Sequence, residues 1–132
     1  LETITKTNTK TSAKAKKTPD VIVGHFTGTK AGDKTEVSAI RKVYGEDTNI
    51  RLVAPKSQVG HQMGAAGSTS LFVAVKILET GQIPPTLNVD NLDPEFEGLD
   101  IVTEFREEKV DTVQVDAFGF GGQNACMILS RQ

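Results

Sequence analysis

Residues 20–28 have the sequence Asp-Val-Ile-Val-Gly-His-Phe-Thr-Gly, and this stretch decides how the rest of the chain is interpreted. The β-branched run at 21–23 predicts a short buried strand, and Gly24 ends it. His25 therefore lies at the carboxyl end of a strand. Open α/β sheets bind their ligands at that edge, so the stretch predicts a strand of an α/β sheet with a candidate site beside it.

Helical and extended patterns alternate outward from this strand. Asp33 is expected to cap the first helix, and Gly45 and Gly81 are expected to end the two helices. The predicted elements are a strand at 21–23, a helix at 34–44, a strand at 52–54, a helix at 63–79, and strands at 101–103, 112–115 and 126–129. This order predicts an α/β fold in which helices pack on a layered mixed sheet.

Composition is that of an ordinary globular protein, with 37% hydrophobic and 24% charged residues in a chain of 132. Residues 1–18 are rich in Lys and Thr and lack apolar periodicity, which predicts a polar arm or helix, while residues 19–132 form the domain. Five lysines stand against Glu2 in residues 1–17. This strip has no interleaved aromatic residues, which argues against nucleic-acid binding.

No stretch is apolar enough to cross a bilayer, and the first residues lack the apolar core of a signal peptide. We therefore expect no membrane association and a cytoplasmic or organelle-stromal location. Cys126 is the only cysteine. It lies in an apolar predicted strand between Ala125 and Met127, where cysteine behaves as a small buried hydrophobe, so a nucleophilic role is disfavoured.

Two histidines are the candidate chemical groups. His25 has two hydroxyls close by, on Thr27 and Thr29, and His61 precedes a predicted helix whose dipole favours the neutral ring. Two neutral rings that donate to one oxygen would stabilise enolate charge. A structural role is as plausible for either histidine alone, and two histidines without a third ligand predict no metal site.

Two further features have both a functional and an ordinary interpretation. Lys56 could pair with Glu36 or Asp33, or could be a surface lysine. The segment 118–122, Phe-Gly-Phe-Gly-Gly, could be a lid over an apolar substrate, or a tight turn whose phenylalanines pack in the core.

Six ordered motifs together resemble the C-terminal half of the β-ketoacyl-acyl-carrier-protein synthases, which belong to the thiolase superfamily. The resemblance extends from about Pro19 to the end of the chain, and residues 1–18 lie outside it. The motifs are His25-Phe-Thr-Gly-Thr29, Gly32-Asp-Lys-Thr-Glu36, Lys56-Ser-Gln-Val-Gly-His61, Gly64-Ala-Ala-Gly67, Ile83-Pro-Pro-Thr-Leu-Asn88 and Phe118-Gly-Phe-Gly-Gly122. The resemblance implies a thiolase-like half-domain.

The resemblance also implies roles for individual residues. His25 and His61 would bind the malonyl thioester and stabilise the enolate formed by decarboxylation. Lys56 matches the active-site lysine of the family, and Glu36 matches its acidic companion. The remaining matches are Thr27 and Thr29, which would contact the phosphopantetheine arm, and Phe118 and Phe120, which lie in the gating loop, where the Phe120 N–H is a candidate oxyanion donor.

Three positions depart from the family pattern. Phe26 stands where Gly or Ala is usual, so it is expected to crowd the loop beside His25. Ser70 replaces a common glutamate and Asp116 a common asparagine, so we expect no structural cation. The nucleophilic cysteine belongs to the N-terminal half, which this chain lacks.

The intact enzyme would extend an acyl chain by decarboxylative Claisen condensation in fatty-acid or polyketide synthesis. Its partners would be the N-terminal half, acyl-carrier protein and a second subunit of a dimer, and it would bind no cofactor directly, because phosphopantetheine carries the substrate. This chain alone is expected to be inactive. The alternatives are a non-catalytic subunit comparable to a chain-length factor and a module that only docks acyl-carrier protein.

Overall fold

The structure is a computed structural model that describes residues 18–46 and 48–131. The predicted arm at residues 1–18 therefore lies outside the described residues, apart from Thr18. The helices are α1 (Lys30–Tyr44), α2 (Lys56–Val59) and α3 (Ala66–Thr80), with 3₁₀ turns at Met63–Ala65 and Pro94–Phe96. The strands are β1 (Val21–Val23), β2 (Arg51–Val53), β3 (Gln82–Ile83), β4 (Asp100–Ile101), β5 (Arg106–Glu107), β6 (Thr112–Gly119) and β7 (Gln123–Ser130).

Five of the strands described form one mixed sheet in the order β4-β2-β1-β6-β7. β1 pairs in parallel with β2 and with β6, and β2 pairs in parallel with β4. β7 is antiparallel to β6, with Val115 opposite Met127. β3 and β5 form a separate antiparallel pair. The sheet is the mixed, helix-packed layer that the sequence predicted, so the predicted fold class is confirmed.

The central strand β1 is buried on both of its faces, and its alternate residues point to opposite faces of the sheet. Val21 and Val23 belong to the cluster that includes Ala74 and Ile77 of α3. Ile22 belongs to the opposite cluster, which includes Ile40 of α1. β1 lies at the centre of the sheet and has no exposed face, which explains its uninterrupted β-branched sequence.

Helix α1 begins four residues earlier than predicted. Its cap is Thr29, whose backbone is extended and whose hydroxyl accepts the Gly32 N–H at 3.3 Å. The expectation that Asp33 caps the helix is wrong, because Asp33 is already inside it and its carboxylate accepts the Thr27 N–H at 3.0 Å. The predicted ends at Gly45 and Gly81 are correct.

Other differences arise from elements too short to have a pattern. The segment predicted as a loop before His61 contains one helical turn, α2, which Gly60 ends. Strands β3 and β5 have two residues each. The hairpin of β6 and β7 is longer than predicted: Phe118 pairs with Asn124 inside it, so the turn begins after Gly119. None of the helices in the described part of the chain is long and apolar enough to cross a membrane.

Candidate active site

Three segments bring the candidate residues together at the carboxyl edge of the sheet. His25 follows β1, His61 lies between α2 and the next 3₁₀ turn, and Phe118 lies near the end of β6. The imidazole centroids of His25 and His61 are 5.8 Å apart, with ring planes at 88°. The Phe118 ring lies 5.6 Å from His25. The strand order places β1 directly beside β6, and this explains why residues distant in sequence meet here.

Glu36 holds the backbone of the His25 loop. Its side chain is buried under the loop from helix α1, with 2% of its surface exposed. One carboxylate oxygen accepts the His25 N–H at 2.6 Å, and the other accepts the Phe26 N–H at 2.8 Å. Glu36 therefore fixes two consecutive peptide units beside the candidate site, which its place in the sequence did not reveal.

Lys56 contacts His25 and not the carboxylates expected from the sequence. Its ammonium donates to the His25 carbonyl oxygen at 2.5 Å and lies 3.4 Å from His25 Nδ1. No ion pair joins Lys56 to Glu36 or Asp33 in residues 18–46 and 48–131, so the first of the two interpretations of Lys56 is not observed. Because an ammonium can only donate, Nδ1 must be the acceptor, and the proton of the neutral ring is then on Nε2.

His61 reaches the same tautomer through a different contact. Its Nδ1 accepts the Met63 N–H at 3.1 Å. Met63 has a φ of 51°, a left-handed conformation that is uncommon for a residue with a side chain. With Nδ1 accepting, the neutral His61 ring also has its proton on Nε2. Both rings can therefore donate a hydrogen bond to a ligand oxygen.

The electrostatics of the site keep His25 neutral. Burial, with Lys56 and His61 as smaller contributions, lowers the pKa of His25 from 6.5 to about 4. Burial also lowers the pKa of Lys56. The negative charges of Glu36 and Asp33 act in the other direction and raise it, but burial has the larger effect. Burial and the neighbouring Asp116 raise the pKa of Glu36 to about 8, although its two N–H donors favour the ionised form.

The hydroxyls of Thr27 and Thr29 lie together, with 3.1 Å between the two Oγ1 atoms. Their loop is anchored by the Asp33 carboxylate, whose pKa is raised by burial. Sequence reasoning treated Asp33 as a cap or an ion-pair partner and missed this role. Thr27 is half-buried and Thr29 is exposed, so both are at the surface edge of the site.

Only one of the two candidate phenylalanines is near the histidines. Phe118 is half-buried and contacts His25, whereas the Phe120 side chain is fully exposed at the tip of the β6–β7 turn. Gly121 and Gly122 follow with φ values of 82° and 81°, which glycine adopts without strain. The interpretation in which both phenylalanines pack in the core is wrong for Phe120, which faces solvent, and the interpretation of the segment as a lid stays a prediction.

The departures from the family pattern are all buried. Phe26 is 8% exposed and belongs to the core cluster that includes residues of α1, and its ring centroid lies 6.4 Å from that of Phe96; whether it crowds the loop beside His25 stays a prediction. Ser70 and Asp116 are 2% and 1% exposed, and Asp116 accepts a hydrogen bond from Gln114 at 2.9 Å.

Among the described residues, no group of three acidic, His or Cys side chains could hold a metal. Cys126 is half-buried in β7, opposite Asp116.

Comparison with known proteins identifies the same half-domain. The sequence profile of the β-ketoacyl synthase C-terminal domain matches residues 2–90. The match includes most of residues 1–18, which the sequence pattern assigned to a separate polar arm. The domain boundary at residue 18 stays a prediction. The 3-oxoacyl-[acyl-carrier-protein] synthase 1 of Escherichia coli K12 is 39% identical over 112 residues, which are 85% of this chain and 27% of that protein. The chain thus spans about a quarter of the length of this curated relative.

Solved structures share the fold. The ishigamide ketosynthase/chain length factor is 44% identical, with a TM-score of 0.81, over 86% of this chain and 28% of that chain. The ketosynthase from module 1 of the bacillaene synthase of Bacillus amyloliquefaciens FZB42 is 25% identical, with a TM-score of 0.89, over 99% of this chain and 26% of that chain. The thiolase-like half-domain expected from the motifs is therefore confirmed.

Proposed function

The chain belongs to the β-ketoacyl synthase family, whose C-terminal domain it represents, and from this we propose that it supplies the decarboxylating half of a decarboxylative Claisen condensation. The observation that supports this most is the pair of imidazoles whose centroids lie 5.8 Å apart, each with an Nδ1 that faces a donor, so that Nε2 is left to donate to a ligand. Two such donors suit an oxygen that becomes negatively charged during the reaction.

The substrate would be a malonyl thioester whose carbonyl oxygen accepts from both Nε2–H groups. Loss of carbon dioxide breaks the bond between the carboxylate and the α-carbon, and the electron pair of that bond forms the enolate. The α-carbon then attacks an acyl thioester, a carbon–carbon bond forms, and the thiolate leaves. His25 and His61 would stabilise the enolate oxygen throughout, and neither has to give up its proton.

The neighbouring residues would support this step. Lys56 disfavours the charged form of His25, because an imidazolium would lie 3.4 Å from an ammonium. Glu36 would hold the His25 backbone. Thr27 and Thr29 would hydrogen-bond the phosphopantetheine arm that carries the substrate. The remaining proposed roles belong to Phe118, as part of the gate over the acyl chain, and to the Phe120 N–H, as an oxyanion donor.

We infer the partners from the same family membership. The relatives are named for acyl-carrier protein, which would deliver the malonyl group to this chain. An N-terminal half, on the same or another chain, would supply the nucleophilic cysteine and complete a dimeric enzyme. Cys126 is unsuited to that role, because it is half-buried in a strand and pairs across the hairpin with Asp116.

The proposal is tested by decarboxylation in the complete synthase. We expect His25→Ala and His61→Ala each to lower carbon dioxide release from malonyl-acyl-carrier protein by about 10²-fold or more, because each removes one donor to the enolate. Gln62→Ala is the matched control, since Gln62 is exposed beside His61 and, among the described residues, its side chain bonds only the Thr69 hydroxyl. Unchanged release by both histidine variants would reject a decarboxylating role and favour a docking module or a non-catalytic subunit.

A second test uses the chain alone. Because no suitably placed thiol is present, it should take no acyl group from acyl-acyl-carrier protein, and intact-mass spectrometry should show no added mass. An acylated chain would show that the covalent step does not require the N-terminal half.

A further inference from the structure

The two residues that flank His25 fit together as a pair. The Phe26 ring turns back over Gly24, at the end of β1, so that a Cβ on residue 24 would overlap ring atoms Cδ2 and Cε2. Atoms cannot approach so closely without displacement of the ring. Phe26 can therefore occupy its present position only because residue 24 has no side chain.

A separate segment also lies beside the Phe26 ring. The ring centroid of Phe96 is 6.4 Å from that of Phe26, and Phe96 ends the 3₁₀ turn Pro94–Phe96. That turn is attached to helix α1 by the Lys34–Glu95 ion pair and by Arg41, which donates to the Glu97 carbonyl at 2.6 Å. The Phe26 ring is thus close both to the end of β1 and to a turn that is anchored to α1.

The same region fixes the backbone of His25. Glu36 accepts both the His25 N–H and the Phe26 N–H from below, and its Oε1 lies 2.9 Å from where a Cβ on Gly24 would be. The backbone from 24 to 26 is therefore constrained by one carboxylate and one aromatic ring. The direction in which the imidazole leaves that backbone depends on both.

We propose that Phe26 is a positioning residue for His25, and that it acts only in combination with Gly24. The significance of this for catalysis rests on the proposed function. Phe26 does not touch the site, since its side chain lies in the core on the α1 side. It acts through the backbone of its neighbour, and misplacement of a reacting group by about 1 Å can cost about 10²-fold in rate.

The test is a double-mutant cycle in the complete synthase, with Gly24→Ala, Phe26→Ala and the two together. The readouts are kcat and KM for malonyl decarboxylation and the pH titration of the His25 ring by NMR. Gly24→Ala should lower kcat by about 10-fold or more and change the His25 titration, because the new methyl group displaces the ring. In the Phe26→Ala background the same change should cost at least about 3-fold less, because the ring is gone.

Phe26→Leu and toluene distinguish positioning from a general loss of stability. Phe26→Ala would enlarge a neighbouring cavity of about 170 Å³ that Phe26 and Phe96 line. The space left by the removed core ring is apolar, and such a space can bind a small aromatic molecule. Phe26→Leu, or toluene added to Phe26→Ala, should restore part of kcat and of the His25 titration. Phe105→Ala, at a side chain that is 59% exposed, is the control that should change neither.

Wild-type kcat and an unchanged His25 titration in Phe26→Ala and in Gly24→Ala would overturn the positioning role. If Gly24→Ala does not fold, the Phe26→Ala and Phe26→Leu pair decides the question in the same way. An active His25→Ala variant would reject the proposed function instead, and the NMR comparison would still show whether Phe26 sets the His25 geometry.

Discussion

At His25, burial opposes protonation most, and the charge of Lys56 opposes it as well. The folded pKa of about 4 lies below the ordinary value of 6.5, so the folded state binds fewer protons than the unfolded state between these values. The stability that the neutral ring contributes is therefore fully present above pH 6.5 and is lost as the pH falls through 4.

This sets the acid limit of the proposed reaction. Decarboxylation by the complete synthase should lose activity as the pH falls towards about 4, because only then does His25 become charged. The pH dependence of carbon dioxide release is the measurement. A loss of activity that is complete by pH 6 and is traced to His25 by NMR would contradict the neutral, Nε2–H assignment.

Removal of the Lys56 charge should raise the pKa of His25. Lys56→Met keeps the aliphatic length but removes the ammonium 3.4 Å from Nδ1, so the His25 titration should move from about 4 towards 6.5. NMR of the ring protons measures this directly. Lys76→Met is the matched control, because Lys76 is exposed and paired with Glu79; an equal shift in both variants would show that Lys56 has no specific effect.

The sequence was sufficient to name candidate residues that the structure brings together, but several of their contacts could not be predicted. The motifs identified His25, His61 and Lys56, and β1 and β6 place the first of these beside Phe118. The direction of the Phe26 ring depends on Phe96, which is 70 positions later. Likewise, Lys56 bonds a main-chain oxygen, which no side-chain pattern reveals.

Among the secondary-structure elements, helix α3 ends at a glycine, Gly81, where any side chain would be strained and would clash with the backbone. Gly81 has a φ of 75°, and a Cβ there would overlap the Glu108 carbonyl oxygen. We expect Gly81→Ala to lower the free energy of unfolding by about 1–2 kcal/mol for the left-handed backbone, and by a further 1–3 kcal/mol or so for the clash. Urea unfolding measures the total.

Gly98→Ala separates these two contributions. Gly98 has a φ of 81° and no atom within 4 Å of the added methyl group, so only the backbone cost of about 1–2 kcal/mol should remain. Equal losses of unfolding free energy at both positions would show that the backbone at Glu108, which follows β5, moves to make room for the methyl group.

Helix and strand boundaries were predictable where a single residue imposes them. Gly45 and Gly81 end the helices as expected. The start of α1 was wrong by four residues, because two potential caps, Thr29 and Asp33, lie close together and the Asp33 carboxylate is engaged by the Thr27 N–H. Strands of two residues, such as β3, arise from pairing rather than from a pattern in their own sequence.

For the whole molecule, helix α3 has an apolar side that the described chain leaves largely exposed. Ala74 and Ile77 are buried against the sheet, whereas Phe72 is 63% exposed and Val75 is 36% exposed. We expect the isolated chain to self-associate, because an exposed apolar surface of this kind drives association. Sedimentation of the isolated chain should show species larger than a monomer, and Phe72→Lys should shift them towards the monomer.

The control for that experiment is a similar change outside helix α3. Leu92→Lys replaces a side chain that is 48% exposed and should leave sedimentation unchanged. Addition of the N-terminal half should raise the melting temperature of the chain and abolish self-association. A stable monomer at high concentration, with no stabilisation by that half, would contradict the proposal that this surface is an internal interface of a larger enzyme.

The parallel pairing of β1 also has a consequence for how the protein forms on the ribosome. Val21 pairs with Arg51 on one side and with Val113 on the other. The pairing of the central strand is therefore complete only after residues about 90 positions later have been synthesised. Contacts this distant in sequence make folding slow, because a long loop must close before they can form. Nascent chains that end before β6 will therefore expose one edge of β1, which is a target for chaperones and a starting point for aggregation.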